Sequence, residues 1–570
     1  MHEIDDGTLT ESLARAAAEA TCLDFQSVVS IASALRGCTR ANDDPLWGLI
    51  AGLEYHLIID KERRSSGAVF GPIIEAGGDS YPAPLDRIDT IVPGVCSLWE
   101  RAARLSLLPL VQARFADLIW EARYGGTPYA FVQLAADAYT RATMDEFGHP
   151  LERSEAVQRA IEIASELNDQ SRRARAVAAA VELARFSIAA EGPMPGVVLP
   201  LLELFVSDRP ERRPSMLDEM VDDAVERFGD DPWTLESALE LKARLAAAEE
   251  RPQLRERQVA AFRDLASHST GLVRYAHLQH AIELADEHGL RSLAEIIRRV
   301  VEATPFEELD PTELSATVSI SHRDIEDYVD RFVGDDDIES ALTRFGAYVP
   351  TGDPEENRNY VERLMSAHPL QFLFTRITIG PENSLVRSTQ GQDAQAEQAL
   401  IDHEAQRASM FSLFAVDILD RIAVRYGRLA SAASWFTCDL IDSSVAAKIA
   451  RAIELYEAGD SDSSAAVLAS RLERIIRRIA AAVGLTVTRS PDARGRTGGV
   501  KGLGELLGTL DGALHEPTRR YLRALLSEVT ALNLRNRIGH GLDDEITQRE
   551  AALLIHAACH LRLLTRGDVA

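Results

Sequence analysis

Apolar residues recur at three- and four-residue spacings along most of the chain, the period of a helix with one buried face. In residues 1–124 the segments Leu9–Ala20, Phe25–Leu35 and Leu107–Trp120 read this way. A Gly-, Ser- and Pro-rich stretch, Arg63–Pro84, separates them and is expected to be a long loop. From Thr127 to about Ala303 the pattern becomes a series of short amphipathic segments split by Gly, Pro and Asn/Asp. Val157–Asp169 (VQRAIEIASELND) and Leu278–Leu290 (LQHAIELADEHGL) share Gln, Ala, Ile, Glu and Ala at the same offsets, and another helical run follows each. Helix pairs with alanines at their contacts bury their apolar faces by stacking on neighbours. This predicts an irregular, solenoid-like helical-hairpin array over residues 125–380. A constant period of 34 is not met, and an ordinary Ala-rich helical domain satisfies the same pattern.

Phe372–Ile379 (FLFTRITI) alternates and is β-branched, which predicts a short strand; the polar run Gly380–Gln398 predicts a linker or exposed loop over 381–399. Beyond it, Ser461–Val483 places Leu468, Leu472, Ile475, Ile479 and Val483 on one face, behind Ser/Asp cap candidates, and stops at Gly484. A second long helix opens at Pro517 and runs through Leu522, Leu525, Val529 and Leu532 towards Arg535, with Gly539 and Gly541 interrupting or ending it. A last helix from about Asp543 or Asp544 presents Leu553, Ala557, Leu561 and Leu564. Residues 400–570 therefore predict a compact helical bundle, and the whole chain is expected to be all-α.

Composition agrees with helix: 570 residues, 46% hydrophobic and only 6% aromatic. No apolar run approaches the roughly 18–20 residues of a membrane span. The acidic start, MHEIDDGTLTESLARAAAEA, lacks the basic-then-apolar layout of a secretion signal, so a soluble, cytoplasmic protein is expected. Cys22, Cys38, Cys96, Cys438 and Cys559 are scattered and form no CxxC pair or disulfide framework. The net charge of −28 argues against a protein that coats nucleic acid. It is unevenly spread: residues 401–570 carry 22 Lys/Arg and 21 Asp/Glu, leaving 39 against 68 for the first 400. The near-neutral C-terminal part is thus the expected place for a phosphate-bearing substrate.

Chemistry concentrates in Leu534–Leu542, LRNRIGHGL. Arg535 is a permanent planar cation able to hold two phosphate oxygens, and His540 can take and return a proton near neutral pH. Together they suit metal-free RNA cleavage: the imidazole deprotonates a ribose 2′-hydroxyl and the guanidinium stabilises charge on the phosphorane. Five residues separate the two side chains by about 140° on an ideal helix. A break near Gly539 would bring them together; an unbroken helix would call for a second copy of the domain.

Arg535-Asn536-x-x-x-His540-Gly541, late in a helical bundle, resembles the Arg-x(4–6)-His signature of the HEPN superfamily. The resemblance covers about residues 400–570 and is greatest to a branch with an Arg-Asn-x-x-x-His-Gly motif, shared with the eukaryotic ER-membrane-associated RNA degradation protein. It implies a four- or five-helix bundle that dimerises and cleaves RNA without metal or cofactor, often in phage defence or abortive infection. It also implies roles: Arg535 binds phosphate, His540 is the general acid/base and Asn536 orients the site. Members of the superfamily also serve as non-catalytic binding modules. The preceding helix offers Glu473 and Arg477 as supporting candidates, spaced i, i+4, whose alternative reading is a solvated ion pair. Arg474 and Arg478 read as solvated charges, and Arg537 as a supporting phosphate contact. The expected partners are RNA, a second copy through the C-terminal domain, and a protein on the N-terminal array. The competing function is a non-enzymatic helical scaffold that binds a nucleotide or protein.

Other signals are weaker. Gly495–Lys501 (GRTGGVK) lacks the second glycine and the Ser/Thr of a phosphate loop, though Arg489, Arg494, Arg496 and Lys501 could fold over RNA. His556, Cys559 and His560 have helical ligand spacing but no evident fourth ligand, so packing is the expected role. His277 and His280 read as packing or surface residues.

Overall fold

A computed structural model describes residues 4–22, 26–38, 46–61, 67–76, 78–126, 128–145, 147–309, 319–380, 385–490 and 498–564. The protein is mainly α and divides into two compact units, residues 1–298 and 299–570, each with its own apolar core. This single division falls at neither of the boundaries expected near residues 124 and 380.

In the first unit the expected helices form as Asp6–Ala20, Val28–Cys38 and Pro109–Glu121. The stretch expected to be a long loop instead contributes short antiparallel pairs, His56–Leu57 with Phe70–Gly71 and Ile74–Ala76 with Asp79–Tyr81. Residues 62–66 and 77 lie outside the described residues. From Pro109 to Glu287, each helix packs on the next one in sequence. Helix Pro150–Glu166 carries the first echo segment and pairs with Gln170–Ala189. Helix Gly271–Glu287 carries the second, but packs chiefly on the preceding helix, Arg251–Ser267. The shared alanines, Ala160, Ala164, Ala281 and Ala285, are buried, because only a methyl group fits where helix axes approach closely.

One charged cluster sits inside this unit. Arg159 is fully buried and donates to both oxygens of Asp117 at 2.9 Å, with Glu121 at 2.9 Å and Glu162 at 3.0 Å. Tyr139 adds its hydroxyl to Asp117 at 3.2 Å. Such a cluster is tolerable inside a protein only when every charge has partners, a condition these contacts meet.

In the second unit, Arg376–Ile379 forms the expected strand and pairs with Leu385–Thr389. The expected linker is therefore largely structured. Residues 381–384 lie outside the described residues, and Gln392 starts a 35-residue helix ending at Tyr426. The first turns of this helix carry few large apolar residues, yet Gln395 and Gln398 are buried through hydrogen bonds, a form of burial that apolar periodicity does not register.

The Gln548–Leu563 helix is the centre of this unit: every residue from Ala551 to Leu561 is buried. Helices Ile338–Ala347, Gln392–Tyr426 and Ser461–Ala482 pack around it. It starts at Thr547, whose side chain and that of Glu550 form a reciprocal capping box, a few residues later than the Asp543/Asp544 start read from the sequence. Gly346 allows the closest approach, since a Cβ there would lie 2.7 Å from the carbonyl carbon of Cys559.

Candidate functional site

Two elements bring the predicted residues together. Helix Ser461–Ala482 is capped by Asp460, whose carboxylate accepts the Ser463 amide at 3.0 Å. It buries Leu468, Leu472, Ile475 and Ile479, leaving Glu473 and Arg477 on a different side. The second element is the short helix Leu534–His540, which packs on it.

The helix expected to run unbroken from Pro517 to Arg535 is interrupted. It ends at Leu526, and the Leu532 and Asn533 amides both turn back to the Ala524 carbonyl, at 3.1 and 3.3 Å. The cause is a buried carboxylate. Glu528 accepts Arg523 at 2.6 Å and Arg387 at 2.7 Å, and the turn it anchors leaves Val529 exposed. Asn533 then adopts a left-handed conformation with φ of 50°, and a new helix starts. This helix passes through Gly539 intact and ends at Gly541, left-handed at φ 64°. The break therefore falls before Arg535, not between Arg535 and His540.

Glu473 organises the site. One carboxylate oxygen accepts Arg477 at 2.6 Å and the other accepts Arg535 Nε at 2.7 Å. Arg535 also donates an Nη1 hydrogen to Asn536 Oδ1 at 3.1 Å, and Asn536 Nδ2 donates to Asn533 Oδ1 at 2.8 Å. The guanidinium is thus held through Nε and Nη1, while Nη2 has no hydrogen-bond partner among the described residues. One carboxylate between two cations leaves a local excess of positive charge. Arg477 further donates to the Lys501 carbonyl at 3.3 Å.

His540 is exposed at the last position of its helix and makes no hydrogen bond or ion pair with a described residue. Because the helix is continuous, its side chain leaves the axis about 140° away from that of Arg535. Within one chain the two groups diverge. Arg537, expected to support phosphate, sits between Asp543 at 2.8 Å and Glu550 at 2.9 Å and also bonds the Leu532 carbonyl. Its partners make it a strut that fixes the loop after the helix, with its charge already matched.

The remaining candidates fall elsewhere. Arg478 pairs with Asp442 at 2.6 Å and Arg474 lies 3.8 Å from the same carboxylate, as solvated charges would. Arg489 is paired with Glu505, and Lys501 donates to the Thr486 hydroxyl at 3.2 Å. Arg494 and Arg496 lie outside the described residues. His556 and His560 are buried and held by packing partners, Tyr521 at 2.7 Å for the first, the Gly346 carbonyl at 2.7 Å and Thr518 at 3.0 Å for the second. Burial holds both imidazoles below their ordinary pKa and pushes the Cys559 thiol up. His280 bonds Glu236 at 2.8 Å and packs between Trp233 and Phe262.

Asn533 and Glu528 belong to the site's framework and were not singled out from the sequence, and Asp543, read there only as a possible helix start, belongs to it as the partner of Arg537. The signal for Asn533 was available, an Asn just before a second cluster of helix-forming residues, but the Leu522–Leu532 periodicity masked it. No family model matches the chain, and none of the curated proteins or solved structures it was compared with is significantly similar to it.

Proposed function

We propose that the second unit is a HEPN-type, metal-independent endoribonuclease, and that the hairpin-packed first unit is a solenoid-like array carrying a protein partner or restraint, in a setting such as phage defence. The observation that carries the reading is the Glu473 clamp: it holds Arg535 through Nε, leaves Nη2 without a partner among the described residues and so available for a phosphate oxygen, and sits one helical segment from an exposed imidazole that bonds no described residue. In this chemistry His540 takes the proton of a ribose 2′-hydroxyl as its oxygen attacks the adjacent phosphorus. The P–O5′ bond breaks, and the proton passes from the imidazole to the departing 5′-oxygen. The products are a 2′,3′-cyclic phosphate and a 5′-hydroxyl end. Arg535 stabilises the charge on the phosphorane, Asn536 holds the guanidinium, and Glu473 and Arg477 position it.

The divergence of Arg535 and His540 within one helix supports a site made by two copies, Arg535 from one and His540 from the other. RNA cleavage in EDTA tests this. Arg535→Ala and His540→Ala proteins are each expected to be inactive. Mixing the two should restore about a quarter of wild-type activity, because half the chains pair as heterodimers with one intact site of two. Equal activity in wild type and both variants would remove the assignment, and inactivity of the mixture would place both groups in one chain.

The same divergence favours the second reading, a non-catalytic module that binds a nucleotide or protein. None of the principal cavities is lined by Arg535 or His540. This reading expects no turnover, and ligand binding that changes when His540 is replaced.

A further inference from the structure

The first unit is acidic as a whole, yet one of its cavities is walled by arginines. A cavity of about 480 Å³ lies where helices Pro195–Ser207 and Pro232–Leu245 end and helix Arg251–Ser267 begins. Arg213, Arg244, Arg251 and Arg255 line it together with Ser207. Two of these cations are matched: Arg244 by Glu203 at 2.7 Å and Arg255 by Glu240. The other two are not. Arg213 donates only to the backbone carbonyls of Asp208 at 3.1 Å and Val206 at 2.7 Å. Arg251 donates only to the Ala246 carbonyl, at 3.2 Å. Neither meets a carboxylate among the described residues, and Glu249 and Glu250, which precede Arg251, do not line the cavity.

Capping helix ends explains one edge of each guanidinium. It leaves Nη1 of Arg213 and both Nη atoms of Arg251 without a partner among the described residues. Arg244 and Arg251 are exposed and Arg213 and Arg255 half-buried, so solvent screens their repulsion, and the four guanidiniums remain a local concentration of positive charge that an anion can reach.

We propose that this cavity binds a phosphate dianion, free or as the end of a phosphomonoester. Two uncompensated guanidiniums match the charge of the dianion, and their planar forks fit its oxygens. The carbonyl bonds hold Arg213 and Arg251 in place before the ligand arrives, which lowers the ordering cost of binding. The Ser207 hydroxyl on the same wall accepts Arg244 at 2.8 Å and donates to Glu203 at 2.6 Å, so it helps to hold Arg244 and contributes no donor to the ligand. The cavity is larger than one phosphate group and leaves room for the group esterified to it.

Titration calorimetry of the full chain tests this, with inorganic phosphate and a nucleoside 5′-monophosphate as probes. An Arg535→Ala background removes any contribution from the other phosphate contact. One equivalent is expected to bind. Arg251→Gln should weaken it roughly tenfold, the loss of a charged hydrogen bond. Arg251→Lys should weaken it less, and Arg213→Gln combined with Arg251→Gln should abolish it. Tighter binding of the monoester identifies an esterified ligand, and equal affinity identifies the free ion. Absence of saturable binding by either probe at millimolar concentration overturns the proposal. So does unchanged affinity in an Arg251→Gln protein that melts like wild type.

Discussion

Glu473 shows how one carboxylate can turn two scattered arginines into a device. Its oxygens divide between Arg477, four residues on along the same helix, and Arg535, 62 positions later in the chain. Removing the carboxylate should leave the two guanidiniums to repel each other and free Arg535 to rotate. Under the proposed ribonuclease reading, Glu473→Ala is therefore expected to lower RNA cleavage at least tenfold with little change in RNA affinity, and Glu473→Gln, which keeps one acceptor oxygen but turns an NH2 donor towards the other guanidinium, should recover only part of the loss. Single-turnover rates set beside equilibrium binding check this. The i, i+4 spacing made the Glu473–Arg477 contact legible in the sequence. The Arg535 contact was not legible, because it depends on where a short helix lands after a turn. Arg537 illustrates the reverse: its place beside Arg535 suggested a phosphate contact, and Asp543 and Glu550 claim it instead.

At the scale of elements, apolar periodicity located helices well and their interruptions poorly. Ser461–Ala482 follows the expected span to within a residue because its cap, apolar face and terminal glycine all agree. The Pro517–Arg535 reading failed because Leu522, Leu525, Val529 and Leu532 keep helical spacing across a turn enforced by Glu528, a polar residue that periodicity ignores. Asn533 is the pivot. Its left-handed backbone costs a Cβ-bearing residue about 1 kcal/mol, less for Asn than for most and least for Gly. Asn533→Ala should destabilise the second unit by roughly 1–2 kcal/mol, since it also removes the acceptor for Asn536. Asn533→Gly should lose only the hydrogen bond. Denaturant melts of both variants measure the difference.

Across the whole molecule, net charge was an incomplete guide. The deficit of 29 charges in the first 400 residues pointed phosphate chemistry to the C-terminal part, but an average over hundreds of residues hides four arginines brought to one cavity by the ends of three helices. The two-unit division was likewise out of reach, since packing of neighbouring helices decides it rather than any composition change. Burial also gives the molecule a pH dependence. Glu152 accepts the Val28 amide at 3.1 Å, and desolvation raises its pKa from 4.5 to about 7, against the opposing pull of that amide and of Arg114. The folded state therefore holds a proton that the unfolded chain has released, so this group's contribution to stability falls as pH rises from about 4.5 to about 7 and is flat above. Glu152→Gln keeps an acceptor for Val28 and never ionises. It should flatten that slope, leaving the variant more stable than wild type by on the order of 2–3 kcal/mol at pH 8. Melting curves at pH 5 and pH 8 read this directly.

The buried helix Gln548–Leu563 has a consequence for synthesis. The first unit packs helix on neighbouring helix, so it can compact piece by piece as it leaves the ribosome. The second unit has no such option: the rod that fills its middle is translated after the helices that surround it, including the Glu473 clamp and the Arg535 segment. Until that rod emerges, the surrounding helices enclose an empty slot and cannot hold the site rigid. Under the ribonuclease reading proposed above, a nascent chain would thereby be kept from acting on the message that is still encoding it.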